Sequence, residues 1–178
     1  MIERHLFPAL KAALSDTPVV LLVGARQTGK STLARWLTSR GHKARYLTMD
    51  DAATLAAAHA DPAGFIEGLD GPVILDEIQR APGLFPAIKV AVDRRRDPGR
   101  FLLSGSANVL LLPKLSESLA GRMEVLTLWP LSQGEIEGVR EGFIDTVFSD
   151  RIRAPGPGEN RAEVAARALR GGSPEVVA

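Results

Sequence analysis

The apolar positions along this chain follow two alternating rhythms. Residues 17–23 form a short apolar run, the mark of a parallel strand covered on both faces. Segments 45–49, 72–75, 101–104 and 124–128 read as four further strands. Between them the spacing turns helical. Ile2, Leu6, Leu10, Ala13 and Leu14 predict a short opening amphipathic helix, with Pro8 near its start or kinking it. Leu33, Trp36 and Leu37 make one apolar stripe, with Arg35 and Arg40 facing away and Gly41 marking the end. Residues 52–60 are helical, a turn at Asp61-Pro62 leads to a further piece ending at 67, and Leu84, Ile88, Ala91 and Val92 share a face of 84–95. Strands alternating with helices predict an open parallel α/β sheet.

Past the fifth strand, Trp129-Pro130-Leu131-Ser132 starts another helix, and 143–148 suggests one more. Ala154-Pro155-Gly156-Pro157-Gly158 is too rich in proline and glycine for either element and reads as a linker or exposed loop. A last helix opens at Asn160 as N-cap, with Glu163 three residues on, and ends at Gly171-Gly172. The expected division is therefore a domain over 1–153, a linker over 154–159 and a further region over 160–178.

At 178 residues, 45% hydrophobic and 24% charged, the chain can bury a sizeable core, so disorder is not expected. A net charge of +1 argues against a surface that coats nucleic acid broadly, while leaving room for a local basic patch. There is no cysteine, which excludes disulfides and thiolate metal sites and is compatible with a reducing cytosol. Glu3, Arg4, His5, Lys11 and Asp16 interrupt any signal-peptide core, and no run approaches a membrane span. A cytoplasmic protein without a membrane partner is the expectation.

The chemistry is concentrated where the first strand meets the next helix. Gly24-Ala25-Arg26-Gln27-Thr28-Gly29-Lys30-Ser31-Thr32 matches the G-x-x-x-x-G-K-[ST] pattern of a phosphate-binding loop. Its glycines allow a turn whose backbone N–H groups face phosphate oxygens, and the following helix aims its positive end at the same anion. Lys30 is expected to reach the β- and γ-phosphates of ATP, and the Ser31 hydroxyl to hold Mg²⁺.

Two further strand ends supply partners. Val73-Ile74-Leu75-Asp76-Glu77 ends in two carboxylates on the edge where ligands bind in such sheets. Asp76 is the candidate for orienting the water ligands of Mg²⁺, and Glu77 for polarising the water that attacks the γ-phosphate. Gln79 and Arg80 could reach the nucleotide or a neighbouring subunit, with a polar loop after that strand as the plainer reading. Residues 101–108 end in small polar groups, among which Ser106, then Ser104, then Asn108 are candidates to hold the attacking water. A simple turn leaving the strand explains the same residues equally well. Arg94-Arg95-Arg96 suits the last turn of a helix through the dipole alone, an inter-subunit finger or a nucleic-acid contact being the weaker alternatives, and His5, His42 and His59 have no acid partner at ligand spacing.

Together with Leu119-Ala120-Gly121-Arg122 and the stretch from Trp129 to Glu135, these motifs resemble the predicted prokaryotic AAA+-superfamily ATPases that carry an uncharacterised downstream domain. The match is close from Arg4 to about Glu135. Ala25 stands where proline is usual and Ser31 where threonine is commoner; Ser173, in a stretch similar to the start of the family's next region, replaces an aromatic. The resemblance implies a P-loop NTPase of three αβα layers with strand order 5-1-4-3-2. It also implies that the chain stops early, holding the ATPase domain and the start of a lid or C-terminal region. Arg122 becomes a candidate catalytic arginine, within its own subunit or across an interface, against the plainer reading of a surface residue at a helix C-terminus.

The expected function is Mg²⁺-dependent ATP binding and hydrolysis that drives or gates an unidentified client, with Lys30, Glu77, Ser106 and Arg122 as catalytic candidates. Homo-oligomerisation through ATPase domains is compatible with it. A nucleotide-gated switch with little turnover and a nucleic-acid-directed motor remain alternatives. A small-molecule kinase is a poorer fit, because Gln27 stands where many kinases have a third loop glycine.

Overall fold

A computed structural model of the chain describes residues 2–111, 119–142, 146–148 and 160–177. The chain divides into two compact units, Leu6–Trp129 and a second made of Met1–His5 with Pro130–Ala178. The expected linker over 154–159 and the first half of the helix expected over 143–148 lie outside the described residues.

The larger unit is built on five parallel strands: β1 (Val19–Gly24), β2 (Arg45–Thr48), β3 (Val73–Asp76), β4 (Phe101–Ser106) and β5 (Met123–Thr127). Their spatial order is β2-β3-β4-β1-β5, which is 5-1-4-3-2 read from the other edge. Every residue of β1 is buried. The reason is visible in the period of two that governs strands. Val19, Leu21 and Val23 enter one core, while Val20 and Leu22 enter the other. A strand with two cores has no solvent face, so it cannot alternate. At the edges the rule relaxes, and Glu124 and Val125 of β5 and Arg45 of β2 are exposed.

Helices α1 (Phe7–Asp16) and α2 (Lys30–Ser39) cover one face, contributing Leu10, Ala13, Leu14, Leu33, Ala34 and Leu37 to the core shared with Ile74 and Leu102. Pro8 falls in the first turn of α1, where a missing N–H costs nothing. Trp36 is half-buried against this core and stacks obliquely on Phe7, their ring centroids 4.4 Å apart. The opposite face is covered by α3 (Ala52–Ala60), α4 (Pro62–Glu67) and α5 (Leu84–Arg94). Asp61 caps α4 by accepting from the Gly64 N–H at 2.9 Å, and Leu84, Phe85, Ile88, Ala91 and Val92 form the buried stripe of α5.

In the smaller unit, α6 (Gln133–Glu137), α7 (Arg161–Arg170) and α8 (Pro174–Val177) follow. Ser132 and Glu135 form a capping box at α6, as Asn160 and Glu163 do at α7. Glu135 does more than cap. Its carboxylate also accepts from the Arg4 Nε at 3.1 Å and from the His5 backbone N–H at 2.7 Å, with both Arg4 and Glu135 buried. Burial pushes the Glu135 carboxyl up, but donors from Ser132, His5 and Arg4 outweigh it, and its pKa lies below the ordinary 4.5.

A depressed carboxyl pKa stabilises the fold above its unfolded value, and that contribution is lost as pH falls through the folded value. Glu135→Ala is therefore expected to cost on the order of 2 kcal/mol near pH 7. Thermal unfolding of parent and variant should show this gap narrowing below pH 4.5; a gap that stays constant into acid contradicts the assignment.

Candidate functional site

The site begins where β1 runs out. Gly24 lies so close to Leu128, just past β5, that a Cβ built there would sit 2.4 Å from the Leu128 carbonyl oxygen, so no side chain fits. The chain then turns through two left-handed residues, Gln27 at φ 64° and Gly29 at φ 91°, and enters α2 at Lys30. Only Gly29 adopts that conformation without steric cost. Thr28 ties the turn by donating its hydroxyl to the Ala25 carbonyl at 2.9 Å.

Lys30 is the first residue of α2 and is 5% exposed, unusual for a lysine. Its ammonium curls back under the loop and donates to the carbonyls of Gly24 at 3.1 Å and Ala25 at 2.7 Å. Burial lowers its pKa; Glu77 and Asp76 act in the opposite direction, and Arg26 adds a smaller lowering. The first and second motifs therefore lie within electrostatic reach of each other. Ser31 follows in the first turn of the same helix.

Asp76 closes β3 and is 3% exposed. Both of its oxygens are engaged: the Ser104 hydroxyl donates to Oδ1 and the Tyr46 hydroxyl to Oδ2. Burial and this carboxylate push the Tyr46 phenol up to about 12. Glu77 adopts a left-handed backbone at φ 56°, outside the range a non-glycine residue prefers. The Gln79 amide donates to its carboxylate. Gly105 on β4 makes room for that amide, since a Cβ there would lie 2.5 Å from the Gln79 Oε1.

The other candidates fall in different places. Ser106 ends β4 in register with Gly24, half-exposed beside the loop. Ser104 is buried on Asp76, and Asn108 is exposed in the 3₁₀ turn Ala107–Leu111. Arg122 is not brought to the loop. It precedes β5, whose first residue Met123 lies beside Val19, so it sits at the opposite edge of the sheet from Gly24. There its guanidinium forms a two-pronged pair with Asp93, at 2.5 and 3.0 Å, and donates to the Ala120 carbonyl. The six residues of β1, at about 3.3 Å each, exceed the reach of one arginine side chain.

Arg94, Arg95 and Arg96 are exposed and locally engaged, with Glu67, Asp97 and the Gly121 carbonyl, in keeping with a solvated helix end. Among the described residues no cluster of histidines and acids has the makings of a metal site of its own. Tyr46 and Gln79 make contacts that the sequence did not show. Gln79 was legible as a polar loop residue within reach of a nucleotide, not as the partner of Glu77, and Tyr46 only as a position in the second strand.

The donor set suits a magnesium nucleotide. Ser31 and Asp76 offer the hard oxygens that Mg²⁺ takes, directly or through its waters, and Lys30 offers a buried cation next to the N-terminus of a helix.

Comparison with known proteins agrees with this geometry. A family model described as an AAA domain matches residues 16–137. Uncharacterized proteins of Mycobacterium tuberculosis and Mycobacterium bovis are each 44% identical over 138 residues, which is 76% of this chain and 31% of theirs. The chain thus spans about a third of the length of these curated relatives. Among solved structures, a Walker-type ATPase of Pyrococcus abyssi aligns at TM-score 0.58 and 16% identity, covering 99% of this chain and 66% of that one. A DNA replication initiation factor aligns at 0.56 and 14%, over 96% and 55% of the two chains. The Holliday junction branch migration motor of Thermotoga maritima aligns at 0.51 and 21%, over 77% and 49%. At such identities these structures share the fold.

Lys30→Ala removes the one cation that the loop encloses, and is expected to abolish ATP binding. Calorimetry returning an affinity within a few-fold of the parent would reject the loop assignment.

Proposed function

The chain belongs to the AAA-domain family, and from that premise we propose that it binds ATP with Mg²⁺, hydrolyses it and uses the cycle to drive or gate a client. The nucleotide-binding, ATPase-like character follows from the family. The observation that carries the reading further is the convergence of Lys30, Asp76 and Glu77 at one edge of the sheet, where the two carboxylates raise the lysine against its burial.

In this reading the backbone N–H groups from Gly24 to Thr32 cradle the phosphates. Lys30 leaves the Gly24 and Ala25 carbonyls for the β- and γ-phosphate oxygens, trading neutral acceptors for charged ones. Ser31 and Asp76 would hold Mg²⁺, which supplies charge neutralisation on the phosphoryl oxygens when bound. Glu77 takes the proton of the attacking water. Ser106 orients that water, since the Ser104 hydroxyl is already committed to Asp76.

Gln79 gives a second reading its one support. A Glu77 carboxylate held by a neighbouring amide suits a nucleotide-gated switch of low basal turnover. Both readings share a test that separates binding from chemistry. Glu77→Gln should bind ATP with the affinity of the parent and release phosphate at least 100-fold more slowly, within the usual range for losing a general base. Equal phosphate release from both chains would remove Glu77 from the mechanism.

Arg122 can serve a phosphate site only as a contribution to a second copy of the chain. An arginine supplied in this way is worth about 10³ to 10⁵ in rate in other nucleotide hydrolases. Specific activity is therefore expected to rise with protein concentration, tracked by light scattering, and Arg122→Ala to lose that rise. Fast turnover by a dilute monomer contradicts the trans assignment. Among the described residues no helix is long and apolar enough to cross a membrane, and the client is left open.

A further inference from the structure

Asp76 is flanked by two strands, and each sends it a hydroxyl. Tyr46 lies on β2 in register with Ile74, two residues before Asp76, so its phenol extends along the sheet face to the carboxylate. Ser104 approaches from β4. An ionised carboxylate has about four acceptor sites, so one donor on each oxygen fixes its orientation and leaves two sites for the water ligands of a metal.

The Tyr46 ring also has a partner on the other side. The Arg35 guanidinium lies over it, 4.8 Å from the centroid. Arg35 is four residues after Ser31 on α2, which places the two side chains on one face of that helix, one turn apart. A continuous path therefore runs from Ser31 along α2 to Arg35, onto the Tyr46 ring, and through its hydroxyl to Asp76. It joins the two residues that offer oxygen to the metal, although they come from separate elements. Ser104 holds Asp76 to the sheet, whereas Tyr46 links it by direct contact to Arg35 of α2 as well.

We propose that Tyr46 is a positioning residue for the metal site, fixing the Asp76 carboxylate relative to Ser31 through its hydroxyl and its stack with Arg35. This rests on the reading of Ser31 and Asp76 as the Mg²⁺ donors. Its consequence is that Tyr46 tunes the metal response and not nucleotide affinity as such.

Tyr46→Phe keeps the ring and the stack and deletes only the hydroxyl. Affinity for a non-hydrolysable ATP analogue, measured by calorimetry with EDTA, is expected to stay within twofold of the parent. The Mg²⁺ concentration that gives half of the metal-dependent tightening should rise about tenfold, the lower end of what losing an outer-shell partner costs. An unchanged Mg²⁺ midpoint overturns the proposal. So does an equal loss of affinity with and without metal, which is what general damage to the fold would give. If the parent's affinity does not respond to Mg²⁺ at all, the donor reading fails, not the role of Tyr46 within it.

A second measurement needs no substitution. Tyr46 is the single tyrosine of the chain, so labelling with 3-fluorotyrosine gives one ¹⁹F resonance. That resonance should move when Mg²⁺ is added to the chain already saturated with the analogue. A resonance that stays in place while calorimetry registers the metal overturns the proposal even if Tyr46→Phe does not fold.

Discussion

The burial of β1 on both faces is the constraint from which the rest follows. A strand with apolar cores above and below can show polar groups only at its ends, and its neighbours β4 and β5 close its sides. Its interior backbone groups pair with the parallel ladders on both sides. The chain must therefore gather its chemistry where the strands stop. Parallel strands stop together on one edge, which is why Gly24, Asp76 and Ser106 meet although some thirty to fifty residues separate each from the next in sequence. The close approach of Gly24 to the Leu128 carbonyl leaves the chain one way out, the turn that delivers Lys30.

That edge is costly to build. It holds a buried ammonium, a buried carboxylate and two non-glycine residues in left-handed conformation, Gln27 and Glu77. Strain of this kind runs to about 1–3 kcal/mol per residue and persists only where the surroundings over-determine it. Here the surroundings are visible. Gln27 is set between two short elements pinned by the Thr28 hydroxyl and the α2 ladder, and Glu77 between β3 and the 3₁₀ turn Ile78–Arg80, its carboxylate held by Gln79. The charges are balanced by hydrogen bonds within the edge itself. Lys30 has its carbonyls and Asp76 its hydroxyls, so each ion keeps polar partners without water.

The sequence made much of this legible, for physical reasons. Periodicity reports burial, so the helix over residues 52–60 and the α5 stripe were readable to within a residue or so, and capping chemistry located the start of α7. The loop was legible because the backbone geometry of phosphate binding dictates residue types at fixed spacing. Tyr46 was not. On β2 it looks like any half-buried aromatic, and nothing local records that a carboxylate thirty residues away lies within reach of its hydroxyl. The bond from Gln79 to Glu77 was not legible for a related reason: it depends on the left-handed turn at Glu77 and on the missing side chain at Gly105, neither of which has a sequence spacing.

Arg122 shows what sheet polarity adds to a motif. A residue just before a parallel strand lies at the strand's amino end, and the phosphate loop lies at the carboxyl end of its neighbour. No rotamer closes a gap of a strand's length. The bidentate pair with Asp93 makes the point from the other side. It holds the guanidinium on α5 with the planar geometry that arginine favours, and hydrogen bonding from it keeps the Asp93 carboxyl below its ordinary value. The pair is partly solvated, so parting it costs little. An arginine paired with Asp93 at the edge away from its own loop lacks the position needed to serve its own phosphate, and the proposed role across copies starts from that position.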